Sequence, residues 1–447
     1  MKKVAAIGLS FILCIGSLTA CGTSTDTTDD TTKDVKTDES QEAGGTKKNL
    51  TITFGSHQSG LPSSGIVQEI AKDYEEKTGV QIDFQISPDA QWSDLLKTKL
   101  GVGEAPDIFC TDADPVALYE QLRPDINCVP LTDEEWVSRM DESVLPAVSV
   151  EDDVYGITFS GYKVWWYYYN TEIFEELGLS APTNYEEFKN VCQAIQDAGT
   201  IPIYEAIQDG WHQQLPFYEL GGYYNEKNPG LYEDLNNNKK KLTDIPEALT
   251  VLKQLKEIQE LGFYGNDYMS NTVAGNYQAI ANGDYAMTLE GFGWEQKLVD
   301  AYPEMEGNIG VFTMPFADAQ CIGTNPASNA YFINSNSENI EECKEFLRYL
   351  AQPEVLQQRM DGDPETIALC WPEIEPEYPE SYISYLDTIS KGTCLQAAAN
   401  YIGGQWNDTG KDIAAMYTGA LTPEEVLQNI SDRRDEQAKL QGNPNWE

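Results

Sequence analysis

Apolar and polar positions alternate in residues 50–56 (LTITFGS) and again in residues 80–86 (VQIDFQI), the period of two that marks β-strands. Between them Ile66, Ile70, Ala71 and Tyr74 recur on one helical face, and Gly79 supplies a stop. A second helix is predicted over residues 92–100, and Pro106-Asp107-Ile108-Phe109 leads into a third strand. Strand, helix, strand, helix, strand at this spacing predicts a parallel sheet with crossover helices. Residues 157–170 (ITFSGYKVWWYYYN) are dense in β-branched and aromatic side chains and long for one strand. Helices are predicted at 171–177 and 184–198, a strand at 201–206 (IPIYEA) and a helical run after Trp211. Leu249, Leu252, Leu255 and Ile258 place a helix over 246–261. Residues 285–289 and 309–314 read as strands; residues 340–350, 397–418 and the chain from Pro423 read as helices. The class is α/β.

The start of the chain departs from this pattern. Lys2 and Lys3 precede an apolar run over 4–15, followed by Leu18-Thr19-Ala20-Cys21. This is the layout of a secretory signal, and its apolar run falls short of the roughly 20 residues a membrane span needs. The L-x-A-C ending resembles the lipobox of bacterial lipoproteins, which implies lipidation of Cys21. Two acyl chains there would anchor the protein where one binds only marginally. Residues 22–48 are Thr, Asp, Ser and Lys with almost nothing apolar, so they cannot offset their ordering entropy and read as a disordered tether. Folding is expected from about Leu50.

About 400 residues then remain, more than one typical core, which predicts two lobes. The net charge of −44 offers no basic stripe for a phosphate backbone, so nucleic acid is excluded as a partner. A neutral or locally cationic ligand suits this field better than an anionic one. Of nine cysteines, Cys14 lies in the signal and Cys21 at the anchor; Cys110, Cys128, Cys192, Cys321, Cys343, Cys370 and Cys394 remain. An odd number cannot all pair, and no C-x-x-C suggests a zinc or redox site. One disulfide is left open.

Seven segments occur in an order that resembles the family 1 extracellular solute-binding proteins of ABC importers, the class that includes maltose-binding protein. They are KTGVQIDFQI, LKTKLGVGEAPDIF, VYGITFS followed by WYYYN, LGLSAPTNYEEF, AIANGDYAMTLEGFGW, VFTMPF followed by YFINSNSENIEECKEFLRYL, and AMYTGALTPEEVLQNI. The resemblance spans nearly all of residues 50–440. It implies an α/β, two-lobed periplasmic-binding-protein-like fold of type II, with discontinuous lobes joined by hinge crossings and closing on a ligand. By analogy one lobe comprises 50–163 and 311–350, the other 164–310 and 351–447. The implied protein is a monomeric carbohydrate receptor, lipid-anchored on the outer face of the cell membrane and delivering its ligand to ABC permease subunits. It carries no cofactor and no metal, and catalyses nothing. A carbohydrate-active enzyme and a family member for another solute are the competing readings; no G-x-S-x-G, H-E-x-x-H or Walker motif supports the first.

A sugar presents hydroxyl edges and flat C–H faces, so its site needs carboxylates or amides for the first and aromatic rings for the second. His57 and Gln58 follow the first strand, where the resemblance implies polar ligand contacts. Asp112 and Asp114 follow EAPDIF at a strand's carboxyl end, where open α/β sheets bind ligands; capping of the next helix is the plainer role for both. Lys163 stands where maltose-binding protein has a glutamate that contacts sugar, which argues against a maltodextrin. Trp165 and Trp166 point to opposite faces of their strand, so one at most faces the cleft. Trp211 matches an aromatic platform of the family, and His212 adjoins it. In GFGW either Phe292 or Trp294 is the stacking ring. Trp406 precedes the C-terminal helix pair at another platform. Asn325, Ser328, Asn329 and Trp371 are weaker candidates.

Overall fold

A computed structural model describes residues 49–447 except 114–117, 119–121, 143, 151, 160–163, 325–328, 365, 367, 379–381, 384–389 and 403–404. The signal, Cys21 and the tether lie outside the described residues. Among the described residues thirteen strands run in chain order: β1 (Leu50–His57), β2 (Val80–Ser87), β3 (Ile108–Thr111), β4 (Ser149–Val150), β5 (Asp153–Val154), β6 (Gly156–Thr158), β7 (Trp165–Asn170), β8 (Ile201–Tyr204), β9 (Tyr285–Gly291), β10 (Ile309–Phe312), β11 (Cys321–Thr324), β12 (Ala330–Ile333) and β13 (Ser390–Thr393).

The first sheet has the order β2-β1-β3-β12-β6. β1 pairs in parallel with β2 and β3, and the antiparallel β12 joins β3 to β6. Helix Ile66–Thr78 connects β1 to β2; it buries Ile66, Val67, Ile70, Ala71 and Tyr74 and ends on Gly79 at φ 77°, a left-handed turn that glycine adopts without strain. Helix Asp89–Val102 returns the chain to β3 on the other side of β1. The order therefore reverses between β1 and β3, and the crevice beyond their carboxyl ends lies at His57 and Asp112.

The second sheet has the order β10-β7-β9-β8. Along β7 successive side chains alternate between two cores: Tyr167 packs on one face with Phe188 and Phe312, whereas Trp166 and Tyr168 are wholly buried on the other with Trp294 and Tyr382. Asn170 ends the strand and starts the next helix at once, its Oδ1 accepting from the amides of Glu172 and Ile173. The next long helix, Tyr185–Ala198, opens on the same device: Asn184 accepts from the Glu187 amide.

Several expectations need revising. The run 157–170 divides between the sheets, with β6 in the first and β7 in the second. The helix expected over 397–418 is two pieces, Leu395–Ala398 and Trp406–Tyr417. Core membership also cuts across the analogy at 311 and 351. Phe312, Met314, Phe316 and Cys321 pack with the second sheet, whereas Val355, Leu356, Met360 and Trp371 pack with the first. The chain passes from first to second sheet after β6, returns between β10 and β12, and passes again between Ile374 and Tyr382. All seven body cysteines are free and buried. Among the described residues no helix is long and apolar enough to cross a membrane.

Candidate functional site

β1 ends on His57, which is 7% exposed and whose Nδ1 has no partner among the described residues. The chain then turns back over its own ring. A Cβ at Gly60 would lie 2.5 Å from Ser56 Oγ and 2.7 Å from His57 Cε1, so a larger residue would have to displace these side chains. The turn is pinned from two sides: Asp89 Oδ1 accepts from the Ser59 amide at 3.0 Å, and Asn329 Nδ2 donates to the Ser59 carbonyl at 3.3 Å. Gln58 is exposed beside it, and exposed Asp112 follows β3 at the neighbouring strand end. Thr158 Oγ1 donates to the Asn329 carbonyl at 2.8 Å, so β6 ends at this edge too. Asp114, Lys163, Asn325 and Ser328 lie outside the described residues.

At the second sheet, β9 runs parallel to β8 and continues three residues past it to Gly291, which sits opposite Trp165 at the start of antiparallel β7. The half-buried Trp165 ring meets half-buried Trp211 edge to face, centroids 5.8 Å apart and planes inclined by 66°. Gly291 leaves the floor under Trp165 bare: a Cβ there would touch the ring at 3.7 Å. The loop carrying Trp211 is seated on helix Trp406–Tyr417 at a glycine, since a Cβ on Gly410 would lie 1.9 Å from the Gly210 carbonyl oxygen. Gln213 Nε2 donates to the Gly410 carbonyl at 2.7 Å. Trp406 is one helical turn before Gly410, so the half-buried indole shares the helix face that carries Trp211. Its ring lies 6.5 Å from Tyr218.

The members of the pairs left open in the sequence differ in burial. Trp166 is fully buried and Trp165 is not. Trp294 is 3% exposed; its Nε1 donates to Asn276 Oδ1 at 3.0 Å and its ring stacks on Tyr277 at 5.6 Å. The ring is packed in the core between Tyr277 and Tyr168, a position that disfavours it against Phe292 as the stacking ring. Phe292 is half-exposed, though Trp166 and Tyr382 approach its ring at 4.7 and 5.3 Å. Trp371 is also core, fully buried with Nε1 donating to the Thr158 carbonyl at 3.0 Å. The structure thus gathers His57, Gln58, Asp112 and Asn329 at one sheet's end, and Trp165, Trp211 and Phe292 at the other's. The two halves touch where Lys297 Nζ, on helix Trp294–Ala301, donates to Ser63 Oγ at 3.1 Å.

One cluster behind the tryptophans was not foreseen. His212 is 1% exposed, with Nδ1 2.7 Å from Glu205 Oε1 and Nε2 2.7 Å from the Leu289 carbonyl oxygen. Glu290 Oε1 lies 3.8 Å away and accepts from Asn276 Nδ2, which links the cluster to Trp294. Burial alone would lower the imidazole pKa. The Glu205 charge and hydrogen bond, the Glu290 charge and the Leu289 carbonyl outweigh it and raise the value to about 9. The sequence signal was slight: a histidine beside Trp211, with Glu205 at a strand end. Among the described residues no three His, Cys, Asp or Glu side chains are grouped to hold a metal ion.

Two α/β sheets between which the chain crosses repeatedly, with polar and aromatic side chains at the strand ends, define the type II periplasmic-binding-protein fold. The chain belongs to the bacterial extracellular solute-binding protein family, whose model matches residues 59–357. It is similar to a multiple sugar-binding protein of Streptococcus mutans, with 23% identity over 312 residues that cover 68% of this chain and 72% of that one. Among solved structures it is similar to a chitin oligosaccharide binding protein (TM-score 0.74, 18% identity, 87% of this chain and 99% of that one). A sugar transporter protein of Bacillus licheniformis in complex with stachyose matches with TM-score 0.69 and 21% identity over 86% of this chain and 98% of that one.

Proposed function

We propose that this protein is the receptor of an ABC importer for a neutral carbohydrate, most readily an oligosaccharide, which it binds between two lobes without chemical change. The observation that carries the reading is the Trp165–Trp211 corner, two inclined indoles open at a strand end in a family of solute-binding proteins. Such a corner takes the flat C–H face of a pyranose against one ring and its edge against the other. Asp112 and Gln58, with Asp114 and Lys163, supply the hydrogen bonds to hydroxyls. A wrong epimer would leave one of them unpaired, at about 1–3 kcal/mol. The names of the similar proteins, with chitin oligosaccharide and stachyose among their ligands, favour a sugar over other solutes.

In this reading the first lobe is built on β1–β3, β6 and β12 with the chain through Ile374, and the second on β7–β10 with the remainder. Ligand binding selects the closed arrangement, in which Lys297 reaches Ser63. Lipidation at Cys21 holds the protein at the outer face of the cell membrane, and residues 22–48 give it reach, raising its effective concentration at the permease. Calorimetric titration against a panel of mono- and oligosaccharides tests the ligand class; binding of at least one is expected, and failure of all overturns it. Incorporation of labelled palmitate, lost in Cys21→Ser, tests the anchor; label retained by that variant overturns it.

A further inference from the structure

His212 does not face the open side of the Trp165–Trp211 corner, yet its ring stands 5.5 Å from Trp211, whose loop it terminates. We propose that His212 is a positioning residue for the ligand site: as an imidazolium clamped between Glu205 and the Leu289 carbonyl, with the Glu290 carboxylate beside it, it holds the Trp211 ring at its angle to Trp165. A carbonyl oxygen can only accept, so the Leu289 contact requires a hydrogen on Nε2. The Nδ1 atom faces a carboxylate oxygen at 2.7 Å, and a second hydrogen there satisfies it. A neutral ring carries one hydrogen for these two acceptors, leaving a lone pair against an oxygen in a site closed to water. The clamp then opens, and the neighbouring Trp211 loses its fixed partner.

The groups that face the imidazole are Glu205, from the segment after β8, and Glu290, from β9, with the Leu289 carbonyl between them. Tyr167, Tyr264 and Tyr417 lie within the field of Glu205, and burial holds all three phenols in their neutral form well above the ordinary range. Asn276 holds Glu290. The cluster thus sets two carboxylates against one cation, and loss of the proton leaves both anions uncompensated in a buried site. That the ring held in this way lies against a sugar rests on the reading above; the geometry itself does not.

The test needs no ligand, so a failure of sugar binding leaves it intact. The chain has only two histidines, His57 and His212, and ¹⁵N-histidine labelling therefore gives two sets of imidazole signals. The inclined indole pair gives an exciton couplet in circular dichroism, assigned by its loss in Trp211→Phe. His212 is expected to be doubly protonated at pH 7, and the couplet to be half lost near pH 9, in step with the histidine titration. In His212→Gln, with its cooperative melt retained, the couplet is expected to be weak at pH 7 and flat with pH. A neutral His212 at pH 7, a couplet that ignores its titration, or a His212→Gln couplet equal to the wild type overturns the proposal. Where His212→Gln does not fold, Glu205→Gln replaces it: titration and couplet loss should move together to lower pH, and an unmoved midpoint overturns the proposal.

Discussion

One methyl group at Gly410 tests how the aromatic wall is seated. Gly410 lies in helix Trp406–Tyr417, and a Cβ built on it falls 1.9 Å from the Gly210 carbonyl oxygen and 3.0 Å from Gln213 Nε2. The first neighbour is backbone and cannot rotate away, so helix and loop must separate by roughly 1 Å or more. Overpacking of this kind costs about 1–3 kcal/mol, against a gain of about 0.5–1 kcal/mol from replacing a helical glycine by alanine. Gly101 is the control: it sits in helix Asp89–Val102 with nothing within 4 Å of its built Cβ, so alanine there retains only the gain. With about 2 cal/mol/K of unfolding entropy per residue over some 400 residues, a net loss of about 1–2 kcal/mol lowers Tm by roughly 1–3 °C. Gly410→Ala should therefore melt below the wild type and Gly101→Ala at or slightly above it, by calorimetry. Because the displaced loop carries Trp211 and the displaced helix Trp406, Gly410→Ala should also weaken ligand binding. Equal or higher Tm for Gly410→Ala would refute the close approach and the seating argued from it.

Three further outcomes follow from buried groups. With residues 1–48 removed, the native protein should show no thiol reactive to Ellman's reagent and the denatured protein seven, since burial pushes Cys343 and Cys370 up to about 12; native reactivity would contradict it. His212 titrates near 6.5 unfolded and about 9 folded, so its stabilisation is complete below pH 6.5 and lost as pH rises through 9, roughly 3 kcal/mol in all. Urea midpoints should fall over that window in the wild type and not in His212→Gln. Arg434, 1% exposed, donates to the Asn400 and Leu235 carbonyls at 2.8 and 2.9 Å under the Trp446 ring. Arg434→Met should cost about 2–4 kcal/mol in urea unfolding, and a loss below 0.5 kcal/mol would contradict its anchoring role.

What the sequence disclosed depended on whether a feature was local. The alternation of β7 told that Trp165 and Trp166 face opposite ways, because a strand's period is intrinsic; which of them is covered depends on Tyr382, more than 200 residues away. Asn184 as a helix start was legible for the same local reason. GFGW could not be split into Phe292 and Trp294, since their difference in burial comes from Asn276 and Tyr277 packing on Trp294. Trp371, followed by Pro372, stands in the sequence only as a weaker ligand candidate, because the Phe159 ring and Thr158 carbonyl that enclose it are more than 200 positions away. The return of residues 355–371 to the first core was likewise hidden, because an amphipathic helix states that it has a buried face and not which sheet receives it. The Glu205–His212–Glu290 cluster joins residues up to 85 positions apart, and no motif announces it.

If Trp165 and Trp211 form the ligand wall while Trp294 belongs to the core, the three indoles must answer differently to substitution. Isothermal titration of the tightest-binding saccharide with Trp165→Ala, Trp211→Ala and Trp294→Phe decides it most directly. Losing a stacking ring should weaken binding by tenfold or more, about 1.4 kcal/mol or above, in the first two variants without a matching loss of stability. Trp294→Phe should lower Tm and leave the affinity of the folded protein near the wild type. Wild-type affinity in both Trp165→Ala and Trp211→Ala, or selective loss of binding in Trp294→Phe, would contradict it.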